Sequence, residues 1–309
     1  MTESSVHDQP MTQGEVAPDG TGGGREPQRR RSATLYLLLK GMNGRILVGS
    51  FMLFFVLVIA VFAPLIATQD PLAIDAVDRL LAPGADHWFG TDELGRDVFS
   101  RVIYGSRISV MVGMSVVVTT TVLGTVIGLA AGFYRKLDGV FMRIMDAFQS
   151  FPSILLAIAI MAALGASARN VIIALTITNL PKTARVVRGR VLGIREETYI
   201  ESARAVGLGD IRIMRRYVLP NTLAPLIVQA TFILALAIIA EAGLSFIGAG
   251  TPPPAPSWGN ILAAGRGYMR QAQWITLFPG VFIMISVLSL NILGDGLRDV
   301  LDPRLKDRR

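Results

Sequence analysis

Apolar runs of membrane length alternate along this chain with short, charged and mostly basic segments. Residues 46–69 carry no charge over 24 positions, 108–134 none over 27, 147–168 none over 22, and 271–294 none over 24. Residues 217–240 form another such run, which continues past Glu241 to about residue 249. A helix rises 1.5 Å per residue and satisfies its own backbone, so each run can cross roughly 30 Å of hydrocarbon. A sixth stretch, 170–190, is interrupted by Lys182, Arg185 and Arg188. These cations lie toward one end, where long side chains reach the interface. The pattern predicts an all-α integral membrane protein with six transmembrane helices.

Charge sets the orientation. With the N-terminus inside, 23 of the 30 Lys and Arg residues fall on cytoplasmic segments and 7 on external ones. That split is a strong positive-inside signal and puts both termini in the cytoplasm. The net charge of +7 is then a bias toward anionic lipid and calls for no nucleic acid. Residues 1–40 read as a disordered basic cytoplasmic tail, rich in Gly, Pro, Gln and Ser, and are not a signal peptide. Residues 41–69 make the first span, 70–106 an extracytoplasmic loop, 107–300 a core with spans two to six, and 301–309 a second tail. The chain has no cysteine and two histidines, His7 and His87, so no disulfide and no metal site is expected. His87 reads as a surface residue.

The segment 198–220, TYIESARAVGLGDIRIMRRYVLP, is polar and helical between two apolar runs. Thr198 with Glu201 three positions on is a capping box, placing a helix start at Tyr199. Gly207 and Gly209 stop that helix, Asp210 can cap a second through Val218, and Pro220 opens the next span. Such an elbow suits a docking handle, and it resembles the "EAA" loop of ATP-binding-cassette importer permeases. The resemblance rests on Glu201-Ser202-Ala203, Gly207 and Val218-Leu219-Pro220, with the loop spanning 196–220. Ser202 stands where that family usually has Ala, and Leu219-Pro220 follows Val218 directly. The string Gly90-Thr91-Asp92-x-x-Gly95-Arg96-Asp97 is similar to the dipeptide/oligopeptide/nickel branch, in its C-type chain. Pro256-Ser257-Trp258-Gly259-Asn260 and Leu293-Gly294-Asp295-Gly296-Leu297-Arg298-Asp299 fit the same branch.

Other residues carry local expectations. Asp97 and Arg101, four apart, can pair along a helix face. Residues 252–258, PPPAPSW, predict a stiff external connector with Trp258 at headgroup level. Arg143 and Asp146 pair with each other or with headgroups, and Pro152 kinks the third span. Gly124, Gly128 and Gly132 make a ridge for close helix packing. Glu241 is costly inside a membrane. It lines a pathway near its outer end, pairs with a partner helix, or caps a break at Gly243. Asn179, Gln229 and Asn291 are further polar positions at pathway depth, each read as an interhelical hydrogen bond ahead of a substrate contact.

No Gly-x-x-x-x-Gly-Lys-Ser/Thr string is present, and no glycine directly precedes a lysine, so the chain has no nucleotide site and is not an enzyme by itself. The resemblance implies the type I permease fold and a role as half of a translocation pathway in the bacterial plasma membrane. It implies a B-type permease partner, two ATPases holding ATP and Mg, and an external solute-binding protein. Glu201, Ser202, Ala203, Gly207, Leu219 and Pro220 would couple to the ATPases. Di- or oligopeptides are the implied cargo, with nickel chelates or glutathione as alternatives. A self-contained secondary transporter is the competing class, for which only Glu241 speaks and no inverted repeat is seen.

Overall fold

Three polar caps start the helices that organise this chain. Asp97 accepts from the Ser100 amide at 2.7 Å, Ser167 from the Asn170 amide at 3.1 Å, and Ser257 shares a reciprocal capping box with Asn260. The computed structural model describes residues 44–301, so the expected tail at 1–40 and all but the first residue of the one at 301–309 lie outside the described residues. The elements in order are α1 (Gly44–Val61), α2 (Ala63–Ile66), α3 (Val98–Phe133), α4 (Arg135–Gln149) and α5 (Ser153–Leu164). They continue with α6 (Ala168–Arg195), α7 (Thr198–Ala205), α8 (Asp210–Phe246), α9 (Trp258–Gly265) and α10 (Trp274–Leu301). No β-strand occurs among the described residues.

Four helices, α1, α3, α8 and α10, are long and apolar enough to cross a membrane alone. The run 147–168 is not one span. Proline lacks an amide hydrogen and pushes its predecessor out of the helical region, so the chain breaks at Pro152. The kink expected there is a bend of 89° between α4 and α5, and α5 keeps only 12 residues. Helix α6 reaches 28 residues but carries too many cations to pass as an apolar helix. Helix α3 starts at Val98, inside the expected loop 70–106, and runs for 36 residues.

Neighbouring contacts give the direction of each helix. Gly124, Gly128 and Gly132 of α3 meet Thr183, Val187 and Val191 of α6 in the same order, so these helices run parallel. Two parallel crossings require one return between them, and only the bent α4–α5 pair can supply it. Gly113 meets Leu234 and Ile238 while Ser109 reaches Glu241, so α3 and α8 are antiparallel. Gly49 meets Leu293 and Gly296 meets Ile46, so α1 and α10 are antiparallel too. These directions are the alternation that six crossings need. A methyl group on Gly128 would stand 2.6 Å from Val187 Cβ and 2.7 Å from the Ala184 carbonyl oxygen. The glycine ridge is thus the contact surface of α3.

At the end of the bundle where α3 begins, residues 67–97 fold into a cross-bonded clamp. Asp92 accepts from the amides of Leu94 (2.9 Å) and Arg96 (3.0 Å) and from Arg96 Nε at 2.7 Å. Thr91 Oγ1 accepts from the Leu81 amide at 2.8 Å and donates to the Asp78 carbonyl oxygen, while Trp274 Nε1 donates to the Thr91 carbonyl oxygen at 3.0 Å. Gly95 has φ +74° and lies against the Asp75 backbone, where no side chain fits. Asp97 does not pair with Arg101 along the helix. As the cap, it faces backward to His87, 3.0 Å from Nδ1, and Arg101 turns to Asp92 at 3.4 Å. His87 is buried, correcting its reading as a surface residue. Asp97 and Asp78 hold its two ring nitrogens, with Asp78 at 3.5 Å.

Trp258 likewise does not face the lipid. It is fully buried, and its Nε1 donates to the Val102 carbonyl oxygen at 3.0 Å, because Gly105 leaves a slot for the ring. Gly259 presses on Ala242 and Ser245, so α9 is clasped between α3 and α8.

Two measurements test this architecture. Gly128→Leu overpacks the ridge and is expected to cost about 1–3 kcal/mol, read as a lower melting temperature in detergent, with partial recovery on adding Val187→Ala. Burial alone pulls the His87 pKa down. Hydrogen bonds to Asp97 and Asp78 and the charges of both carboxylates outweigh it, so the pKa stands above the ordinary 6.5. A raised folded pKa gives stability that is fully present below 6.5 and lost as pH rises through the folded value. Amide exchange in residues 90–98 is therefore expected to quicken as pH rises above 6.5 beyond the intrinsic base catalysis, and His87→Gln should flatten that excess.

Candidate functional site

The end opposite the clamp carries the elbow, and its inner face is fastened before its outer face is available. Ile200, Ala203 and Ile213 are buried with Phe133 of α3 and Val187, Val191 and Ile194 of α6. Arg204 lies over the Phe133 ring at 5.4 Å, and Arg195 Nη1 donates to the Gly132 carbonyl oxygen at 3.3 Å. Cations over the C-terminal carbonyls of α3 complement its dipole and cover acceptors that the helix leaves open. On the flank, Arg188 grips Asp138 of α4, with Nη2 2.7 Å from Oδ2. Asp146 pairs with Arg185, not with Arg143, because the bend at Pro152 turns it toward α6.

Local geometry differs from the sequence reading at three points. The capping box at Thr198 and Glu201 does not form. Glu197 is the cap residue, without a side-chain bond, and the Ser202 hydroxyl donates to the Thr198 carbonyl oxygen at 2.9 Å. Gly207 does end α7. It has φ +80°, and the Leu208 amide returns to the Ala203 carbonyl oxygen at 3.1 Å. The second helix is not separate from the span, since Asp210 to Phe246 is continuous. A wide turn over Met214–Val218 precedes Leu219 and Pro220. The proline ring would clash with a carbonyl one α-turn back, and widening the helix there removes that clash.

The six elbow residues thus fall into different places. Glu201, Ser202 and Gly207 face outward, whereas Ala203 is buried, so its small side chain seats the elbow on its own core. Leu219 and Pro220 lie on α8, beyond the wide turn. Sequence reasoning missed Val206 and Ile211, which are 77% and 67% exposed beside polar neighbours. Two large aliphatics next to glycines in a basic elbow were the signal that could have found them.

The four intramembrane polar residues do not form one cluster. Glu241 is fully buried. It accepts from Ser109 at 3.1 Å, from Ser245 at 2.8 Å and, more weakly, from Thr251 at 3.5 Å. A carboxylate so enclosed ties α3 to α8, and it does not cap a break at Gly243, where the helix continues to Phe246. Asn179 is buried and donates to the Leu175 carbonyl oxygen of its own helix at 2.8 Å. Gln229 and Asn291 are half-buried, on α8 and α10. Among the described residues, no three His, Cys, Asp or Glu side chains gather as a metal site.

Comparison with known proteins follows the same lines. Residues 124–307 match the family described as "Binding-protein-dependent transport system inner membrane component". A putative peptide transport system permease protein of Brucella suis is 52% identical over 84% of this chain and 88% of its own. A dipeptide transport system permease protein of Alkalihalophilus pseudofirmus is 47% identical over 85% of each chain. Among solved structures, a chain of the MetNI methionine ABC transporter superposes with a TM-score of 0.53 at 21% identity, covering 65% of this chain and 96% of that one. The last likeness shows the fold, the type I importer-permease arrangement of helices. With the family matched over its whole second half and close relatives over most of its length, this chain belongs to the inner-membrane permease components of binding-protein-dependent ATP-binding-cassette importers.

Proposed function

We propose that the chain is the C-type half of a peptide importer, forming the translocation pathway with a B-type permease. One of two ATPases, which hold ATP and Mg, docks on this elbow and the other on the B-type chain, and a solute-binding protein delivers cargo at the clamp end. Both termini lie in the cytoplasm, on the elbow side, as the charge asymmetry requires. Cargo of the di- or oligopeptide class is supported by the relatives named for peptide and dipeptide transport. Nickel chelates and glutathione remain the cargoes that a test must separate. Of the pathway candidates, Gln229 and Asn291 keep side chains not committed to a buried tie.

The observation that carries the coupling role is the two-faced elbow. Its inner side is locked on α3 and α6, while Val206 stands out on its outer side with Glu201 and Ser202. A surface fixed from behind moves as a unit with the helices beneath it. ATPase closure therefore shifts the permease only through contacts that differ between its states.

Val206→Asp puts a charge on the outer face and touches none of the elbow's core. It is expected to leave insertion and melting unchanged, while ATPase copurification falls about tenfold or more and peptide uptake into proteoliposomes is lost. Ala203→Leu should do the reverse first, lowering the melting point through about 1–3 kcal/mol of overpacking. Normal uptake by Val206→Asp at normal expression would remove the elbow from the coupling route. Mass spectrometry of ligand held by the copurified binding protein decides between peptide, glutathione and a metal chelate.

A further inference from the structure

Two adjoining cavities lie between the end of α3 and the start of α8, and they differ in chemistry. One, of about 1030 Å³, is lined by Arg212, Arg215 and Arg216 with Tyr134, Ile211 and Asp210. The other, of about 250 Å³, is walled by Val126, Leu129, Ala130, Met214 and Leu219. Tyr134, Ile211 and Arg215 line both, so the two spaces join as one cleft with a cationic mouth and an apolar body. None of the three arginines has a carboxylate within ion-pair distance among the described residues.

The level of the cleft is set by the sequence on both of its walls. The charge-free run of α3 ends at Tyr134, directly before Arg135 and Lys136. The charge-free run of α8 begins at Tyr217, directly after Arg215 and Arg216. Both helices therefore leave the hydrocarbon at the same depth, with a tyrosine at each exit, where phosphate headgroups lie. Val126 on α3 and Leu223 and Ile227 on α8 are exposed just inside that depth, continuing the apolar wall.

We propose that this cleft is a binding site for an anionic phospholipid, its phosphate among Arg212, Arg215 and Arg216 and one acyl chain along Val126, Ala130 and Leu219. Three guanidiniums favour a phosphate whose charge no headgroup cation offsets over a zwitterionic headgroup, and the adjoining apolar space favours a lipid over a free phosphate. Bound there, the lipid touches the wide turn at Met214–Val218 and so braces the first turns of α8 against α3.

The full-length chain is reconstituted in nanodiscs of equal parts dioleoyl phosphatidylglycerol and dioleoyl phosphatidylcholine, then released for native mass spectrometry of retained lipid. The wild type is expected to retain phosphatidylglycerol preferentially, and the triple variant Arg212→Gln/Arg215→Gln/Arg216→Gln to lose that preference by roughly tenfold or more. Ala130→Phe fills the apolar body without altering charge, and it should lower retained lipid while leaving the arginines in place. It decides the matter if the triple variant fails to fold. Equal phosphatidylglycerol retention by the wild type and both variants would overturn the site. Unchanged lipid with lost ATPase copurification in the triple variant would also overturn it, assigning the arginines to a carboxylate on the ATPase. Lost lipid with ATPase copurification intact supports the lipid site and leaves elbow docking untouched.

Discussion

The close approach of α3 and α6 is the contact on which the elbow end depends. Three glycines at helical spacing let the two backbones come together, and Thr183, Val187 and Val191 fill the grooves. In lipid no hydrophobic force draws helices together, so packing of this kind supplies much of the association. The same pair then forms the floor under Ile200, Ala203 and Ile213. An elbow resting on two separate helices would have no fixed aim. Resting on a closed pair, it has one.

Polar groups take a corresponding part at the other end. The capped start of α3, the Asp92 network and the Glu241 tie give most buried polar groups at this end a partner, with Glu93 Oε2 and Arg101 Nε left without a hydrogen bond. Buried charges are destabilising unless they are paired and hydrogen-bonded, and here the pairing is dense. The Gly90–Asp97 string is best understood as that network's requirement. Thr91 bridges Leu81 and Asp78, Asp92 holds three donors, Gly95 admits a backbone and Asp97 caps a helix while holding His87.

Much of this was legible in the sequence. The apolar runs, the glycine ridge, the elbow and its Gly207 terminus follow from periodicity and backbone chemistry, which are local. What misled was tertiary. Asp97 and Arg101 have the spacing of a helical pair, yet the first is a cap and the second finds Asp92 from another turn. Trp258 has the composition of an interfacial anchor, but Gly105 opens a buried slot for it. Glu241 was legible as a costly intramembrane carboxylate, but its partners Ser109 and Ser245 are visible only in three dimensions. The break at Pro152 was visible as a proline, while its size of 89° is a property of the packed bundle and not of the local sequence.

Helix α3 has one property that its ends reveal only together. It is a single unbroken rod of 36 residues, about 54 Å by helical rise, with no internal proline. One tip is bolted into the loop clamp through Asp97, and the other ends at Phe133 under the elbow. A helix resists compression along its axis far more than it resists bending. An axial displacement applied at one tip would therefore reappear at the other, which makes α3 the continuous strut between the clamp and the elbow.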